Sequence, residues 1–148
     1  MQVTDGYYLN TRLLKDAMAP VKETKVISET RELTSYVKTD ESMRGVNQYA
    51  AVATGYVNIP EDGVYYFSSD LEEVWIDGKL LINNANEVKR FSRNDNSVAL
   101  AKGLHEIKAV FLGHIIGGWP SNWNDGSINI RKSDAEKFTK IDGKMLCH

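Results

Sequence analysis

The chain has a single cysteine, Cys147, one residue from its end, so no disulfide forms within it. That absence does not decide the compartment, since exported domains can also do without disulfides. Long apolar runs are missing too. Stretches such as Ala109 to Leu112 fall far short of the roughly 18 residues that cross a bilayer as a helix. There is no excess of one charge: the net charge is −2, with lysines interleaved among acids, and no basic footprint for nucleic acid. No internal repeat or low-complexity tract is present, nor any G-x-S-x-G, H-E-x-x-H or glycine-rich phosphate loop. The start, Met1-Gln2-Val3-Thr4-Asp5, has neither the basic opening nor the apolar core of a signal peptide. Two readings follow, a cytosolic protein or a module excised from something larger, and the second is the expectation.

What is present describes an ordinary globular chain. Its 148 residues, 42% hydrophobic and 26% charged, are enough to bury a core without covalent staples, and one domain over 1–148 is expected. The segment Gly55 to Gly78 is the most legible. Gln48 to Ile59 alternates as a strand, and Pro60-Glu61-Asp62-Gly63 is a turn in which proline presets one φ and glycine frees another. Val64 to Ser68 is aromatic and β-branched. Val74 to Ile76 and Lys79 to Ile82 flank Asp77-Gly78, the signature of a type I′ hairpin. Ser97 to Leu100 and Leu104 to Leu112 read as another pair around Ala101-Lys102-Gly103, and Gly126 to Arg131 with Lys137 to Ile141 as a last one. The first 50 residues are less clear. Leu9, Leu13, Leu14, Ala17 and Met18 suit a short helix before Pro20, while Tyr7-Tyr8-Leu9 suits a strand, and 21–45 reads as short strands between polar turns. The sum is an all-β chain of about eight or nine short strands, a β-sandwich or jelly-roll-like barrel.

Gly55-Tyr56-Val57, Ile59-Pro60, Asp62-Gly63, Tyr65, Phe67, Ile76-Asp77-Gly78, and Leu100 with Gly103, His105 and Ile107 together resemble the PA-fourteen family of anthrax protective-antigen type. Glu87 to Asp95 and Ile115-Ile116-Gly117-Gly118-Trp119-Pro120 further resemble the carboxyl-terminal module of bacterial family-twenty β-N-acetylhexosaminidases. The resemblance implies a PA-fourteen-type fold, a secreted or periplasmic glycan-degrading parent, and a non-catalytic role for this piece. The parent's reaction belongs to a barrel of about 250 residues, too large to fit in this chain.

In sugar-binding members of the family an S-D-D-G loop holds calcium through two neighbouring aspartates. This chain has Ser68-Ser69-Asp70-Leu71 in its place, so Asp70 is the one candidate ligand left. A hard cation wants six to eight oxygens, and Glu72 and Glu73 alternate on a strand. A solvated acidic loop with no cofactor is therefore expected, with calcium at Asp70 as the alternative. The loop Gly113 to Asp125 is rich in Gly, Asn and Trp. Trp119 and Trp123 could stack on pyranose rings, with Asn122, Asn124, Asp125 and His114 hydrogen-bonding hydroxyls. The competing reading packs those rings on the sandwich edge or a catalytic domain. His105 is expected to be a satisfied strand histidine, and Cys147-His148 to fray. Glu72 with Glu73, or Asp70 with Asp77, could formally supply paired carboxylates, but they sit beside a hairpin with no sign of a cleft. The expected partners are a glycan, for which the resemblance implies N-acetylhexosamine units, and a parent catalytic domain. The two functions in play are glycan binding and purely structural packing or oligomerisation.

Overall fold

The computed structural model describes residues 1–6, 8, 11–34, 49–85, 93–113 and 125–147. In chain order these form β1 (Gln2–Asp5), a short helix α1 (Thr11–Asp16), β2 (Glu23–Thr24), a 3₁₀ turn (Thr30–Leu33), β3 (Tyr49–Ile59), β4 (Gly63–Ser69), β5 (Glu73–Ile76) and β6 (Lys79–Asn83). They continue with β7 (Asn94–Leu100), β8 (Gly103–Gly113), β9 (Ile128–Lys132), β10 (Thr139–Lys140) and β11 (Leu146–Cys147). One sheet runs β2-β1-β3-β8-β5-β6, with β11 also on β3, and the other runs β10-β9-β4-β7. Both are antiparallel and open, so of the two expected all-β forms the chain adopts the sandwich and not a closed barrel.

The spine is the pairing of β3 with β8, in register from Tyr49 opposite Gly113 to Ile59 opposite Gly103. Period-two alternation turns Ala51, Ala53, Val57 and Ile59 of β3, and Ile107, Ala109 and Phe111 of β8, into the core. Tyr65 and Phe67 of β4, Ile128 and Ile130 of β9, and Leu100 of β7 meet them from the second sheet. A second cluster lies on the outer side of the large sheet, where Tyr8, Leu14 and Ala19 cover Ala50, Val110 and Leu112. Tyr8, Leu14 and Ala19 therefore shield one half of that outer face, while Tyr56 and Leu104 on the other half are exposed.

The Asp77-Gly78 turn forms as expected, with φ of 48° and 73°, the two positive values of a type I′ hairpin. The pairing expected between Ser97–Leu100 and Leu104–Leu112 does not form. β7 pairs with β4 in the small sheet, whereas β8 pairs with β3 and β5 in the large one. Ala101 to Gly103 is a corner between sheets, with Gly103 at φ 129°. Both segments carry strand patterns, and the pattern does not say which sheet each joins. The short strands expected over 21–45 reduce, among the described residues, to β2 and the 3₁₀ turn. Residues 35–48 lie outside the described residues.

The terminus is more ordered than expected. Leu146 and Cys147 pair with Val57 and Tyr56, and Met145 O accepts the N–H of Asn58. β1 pairs with the other half of the same strand, Gln2 opposite Val52.

His105 pins the β5–β6 hairpin onto β8. Its Nδ1 lies 2.7 Å from Asp77 Oδ2 and its Nε2 lies 2.8 Å from Ala101 O, while Asp77 Oδ1 accepts the Glu106 N–H. The hydrogen bond to Asp77 raises the imidazole pKa above its ordinary 6.5. Two outcomes are expected. The first concerns pH. A raised folded pKa means the contribution is complete below the unfolded value and disappears as pH climbs through the folded one. Melting temperature should therefore fall as pH rises past the ordinary 6.5 and through the raised folded value, and His105→Gln should flatten that slope. The second concerns the core. Phe67 is fully buried, and Phe67→Ala should cost about 3–5 kcal/mol in urea unfolding.

Candidate functional site

Asp70 follows the last residue of β4 and is 7% exposed. Its Oδ2 accepts the Asp125 N–H at 2.6 Å and its Oδ1 accepts the Gly126 N–H at 3.0 Å. Its neighbours are equally engaged. The Ser69 hydroxyl donates to Ser127 O and accepts the Leu71 N–H, and Leu71 is buried in the core. Glu72 is 6% exposed and accepts the Leu112 N–H at 2.9 Å. Glu73 is 3% exposed; its Oε1 accepts from the backbone and hydroxyl of Thr11 at the start of α1, and its Oε2 from Trp75 Nε1 at 2.8 Å.

The solvated acidic loop expected from the sequence is thus a buried one. The physical reason is the accounting of backbone donors. Inward-facing N–H groups at the ends of β8 and before β9 need acceptors, and a carboxylate supplies strong ones. Asp70 and Glu72 hold the two feet of the segment between β8 and β9, at Leu112 on one side and at Asp125 and Gly126 on the other. With these oxygens turned to backbone and side-chain donors of separate elements, Asp70, Glu72 and Glu73 do not converge as a calcium ion needs, with six to eight oxygens around it. Among the described residues no group of three or more His, Cys, Asp or Glu side chains is arranged to hold a metal ion.

A guanidinium closes the same corner. Arg93, just before β7, donates from Nη2 to Ser68 O and Ser127 O, each at 2.9 Å, and from Nη1 to Ser127 Oγ at 3.1 Å. Asp125 Oδ2 lies 3.4 Å from Nη1 and Asp70 Oδ1 3.9 Å. Asp125 also accepts a short hydrogen bond from the Ser127 hydroxyl. That bond chiefly, with the Arg93 charge adding to it, holds the Asp125 carboxyl below the usual range.

Of the residues expected to bind carbohydrate, Trp119, Trp123, Asn122, Asn124 and His114 lie outside the described residues. The described tryptophan is Trp75, which the sequence reading passed over. Val74 and Ile76 face the core, so Trp75 between them faces out. Its ring is held by Glu73 through the indole N–H, and the Lys108 ammonium of β8 lies 5.0 Å from the ring centroid. Trp75, Gly78, Glu106 and Lys108 line an open recess of about 240 Å³ on the uncovered half of the large sheet. Tyr56, 46% exposed, and Leu104, 60% exposed, stand on the same face. By register Tyr56 is two strands and two residues from Trp75, about 12 Å. Alternation around Val74-Trp75-Ile76 was the available signal for Trp75. Arg93 had none, since its partners are remote in sequence.

Known proteins bear on this geometry in three ways. Over 94 residues the chain is 54% identical to a protein from Porphyromonas gingivalis strain W83 named beta-hexosaminidase, a match covering 64% of this chain and 12% of that protein. The chain thus spans about an eighth of that relative. Two solved structures share the fold: an anti-sigma factor domain-containing protein (TM-score 0.66, 14% identity, 99% of this chain and 46% of that one) and another from Clostridium clariflavum (TM-score 0.59, 18% identity, 98% and 46%). The PA14 domain matches residues 6–143, almost the whole of the sandwich, and the chain belongs to that family.

Proposed function

We propose that this PA14 domain is a non-catalytic accessory module of a secreted or periplasmic β-hexosaminidase-type glycoside hydrolase and that it binds the enzyme's glycan. The 54% identity to a stretch of a beta-hexosaminidase supports the parent. No helix among the described residues is long and apolar enough to cross a membrane. The non-catalytic role rests on the engaged carboxylates: hydrolysis of a glycosidic bond needs an acid and a second carboxylate open to substrate, and Asp70, Glu72 and Glu73 are buried against backbone and side-chain donors.

The observation that carries glycan binding is the Trp75 recess. An aromatic face attracts the slightly positive C–H face of a pyranose, and flanking charged groups hydrogen-bond its hydroxyls. Trp75 has both, with its ring position fixed by Glu73, the Lys108 ammonium over one side of the ring, and Glu106 lining the same recess. Tyr56, about 12 Å away, would meet a longer oligomer. Trp119, Trp123, Asn122 and His114 are proposed as a second contact, on a segment whose two feet Asp70 and Glu72 fasten to the sandwich.

The same open face also favours a second reading. Exposed Tyr56 and Leu104 suit packing against a catalytic domain or a second copy of the chain. One titration separates the two. N-acetylglucosamine oligomers at millimolar concentration should change tryptophan fluorescence, and Trp75→Ala should weaken binding at least about tenfold, while Trp119→Ala and Trp123→Ala report the second contact. A flat titration with the unaltered chain, together with self-association lost in Tyr56→Ser, would favour the packing reading instead.

A further inference from the structure

The corner around Arg93 has a chemistry of its own. Its two terminal guanidinium nitrogens face five oxygens: two backbone carbonyls (Ser68 and Ser127), one hydroxyl (Ser127) and two carboxylates (Asp70 and Asp125). Such a set is what a hard cation collects, oxygens only and two of them charged. Without a cation, two carboxylates and two carbonyl dipoles would converge in a partly buried corner and repel one another. Arg93 is itself mostly withdrawn from solvent, its side chain 29% exposed, and its Nε is buried with no acceptor among the described residues. The head group therefore accounts for the interaction, not the stem.

Its position in the fold gives this charge leverage. Asn94 of β7, Ser69 of β4 and Ile128 of β9 lie side by side in the small sheet. Arg93 precedes the first, bonds the carbonyl before the second, and bonds both oxygens of the residue before the third. It ties three strands at one end and fixes Ser127, the residue after the backbone that Asp70 holds.

We propose that Arg93 is a built-in cation: its guanidinium fills an oxygen nest that would otherwise call for a divalent metal ion, and it makes closure of this end of the sandwich independent of calcium. Arg93 is a positioning residue for Asp125 to Ser127, not a ligand-binding one. The reading does not depend on glycan binding.

Thermal melting of the chain with EDTA and with calcium chloride tests it. The unaltered chain should melt at the same temperature in both. Arg93→Ala should melt about 10 °C lower in EDTA, because it strands two carboxylates, and about 10 mM Ca²⁺ should recover a substantial part of that loss. Mg²⁺ should recover less, as it gives up water reluctantly and demands a stricter geometry. Arg93→Lys and Arg93→Met separate charge from packing and carry the test if the alanine variant is too unstable to purify. Lysine should keep more of the melting temperature than methionine, and the methionine variant should respond to Ca²⁺. The proposal is overturned if Arg93→Ala melts with the unaltered chain, if methionine serves as well as lysine, or if Ca²⁺ raises all forms equally or none.

Discussion

The long antiparallel ladder between β3 and β8 sets the terms for everything around it. Its pleat divides each strand into a face that must be dry and a face that may be wet, and each residue's side follows from the register of Tyr49 opposite Gly113. The inner residues define the core, with Phe111 and Val57 opposite the small sheet. The outer ones divide again. Ala50, Val110 and Leu112 are small or aliphatic and accept the cover of Tyr8, Leu14 and Ala19. Farther along the ladder Tyr56, Glu106 and Lys108 remain uncovered, and Trp75 joins them because β5 pairs with β8 in a register that sets it beside Lys108. A slip of one residue would bury Lys108 and expose Phe111, so the open face is as firmly specified as the core.

The acidic run between β4 and β5 shows how one sequence signal can serve different physics. Asp70, Glu72 and Glu73 are close together in sequence, and each holds a different element: the approach to β9, the end of β8, and the start of α1 together with the Trp75 ring. Charges that look solvated in sequence are buried because the backbone donors around them would otherwise be orphaned. Arg93 supplies positive charge beside Asp70. Both oxygens of Asp70 and both terminal nitrogens of Arg93 find partners within the protein.

Much of the fold was legible because it rests on local chemistry. Pro60 to Gly63, Asp77-Gly78 and the alternation of Tyr49 to Ile59 each report a turn or a strand within a few residues. Sheet membership was not legible, since Ser97–Leu100 looks the same paired to β8 or to β4, and only the corner at Gly103 decides. For the site, the alternation Val74-Trp75-Ile76 carries a local signal for Trp75 that was not drawn on, whereas the burial of Glu72 depends on Leu112, 40 residues away. Arg93 is the extreme case. Its environment is assembled from β4 and the approach to β9, and nothing near it in sequence announces either.

The placement of β1 and β11 on β3 has a consequence for how the unit sits in a longer polypeptide. Both run antiparallel to β3 along the same edge, β11 ending opposite Tyr56 and β1 beginning opposite Val52. They are two pieces of one interrupted strand beside β3, and the break spans about 13 Å. Gly55 lies within that break, where an added methyl group would press on the carbonyl of Cys147. A polypeptide entering at β1 and leaving at β11 therefore does so at nearly the same point. Such a unit can be spliced into the surface loop of a host as readily as attached to its end, and a short bridge between the two pieces would permute the chain without altering either sheet.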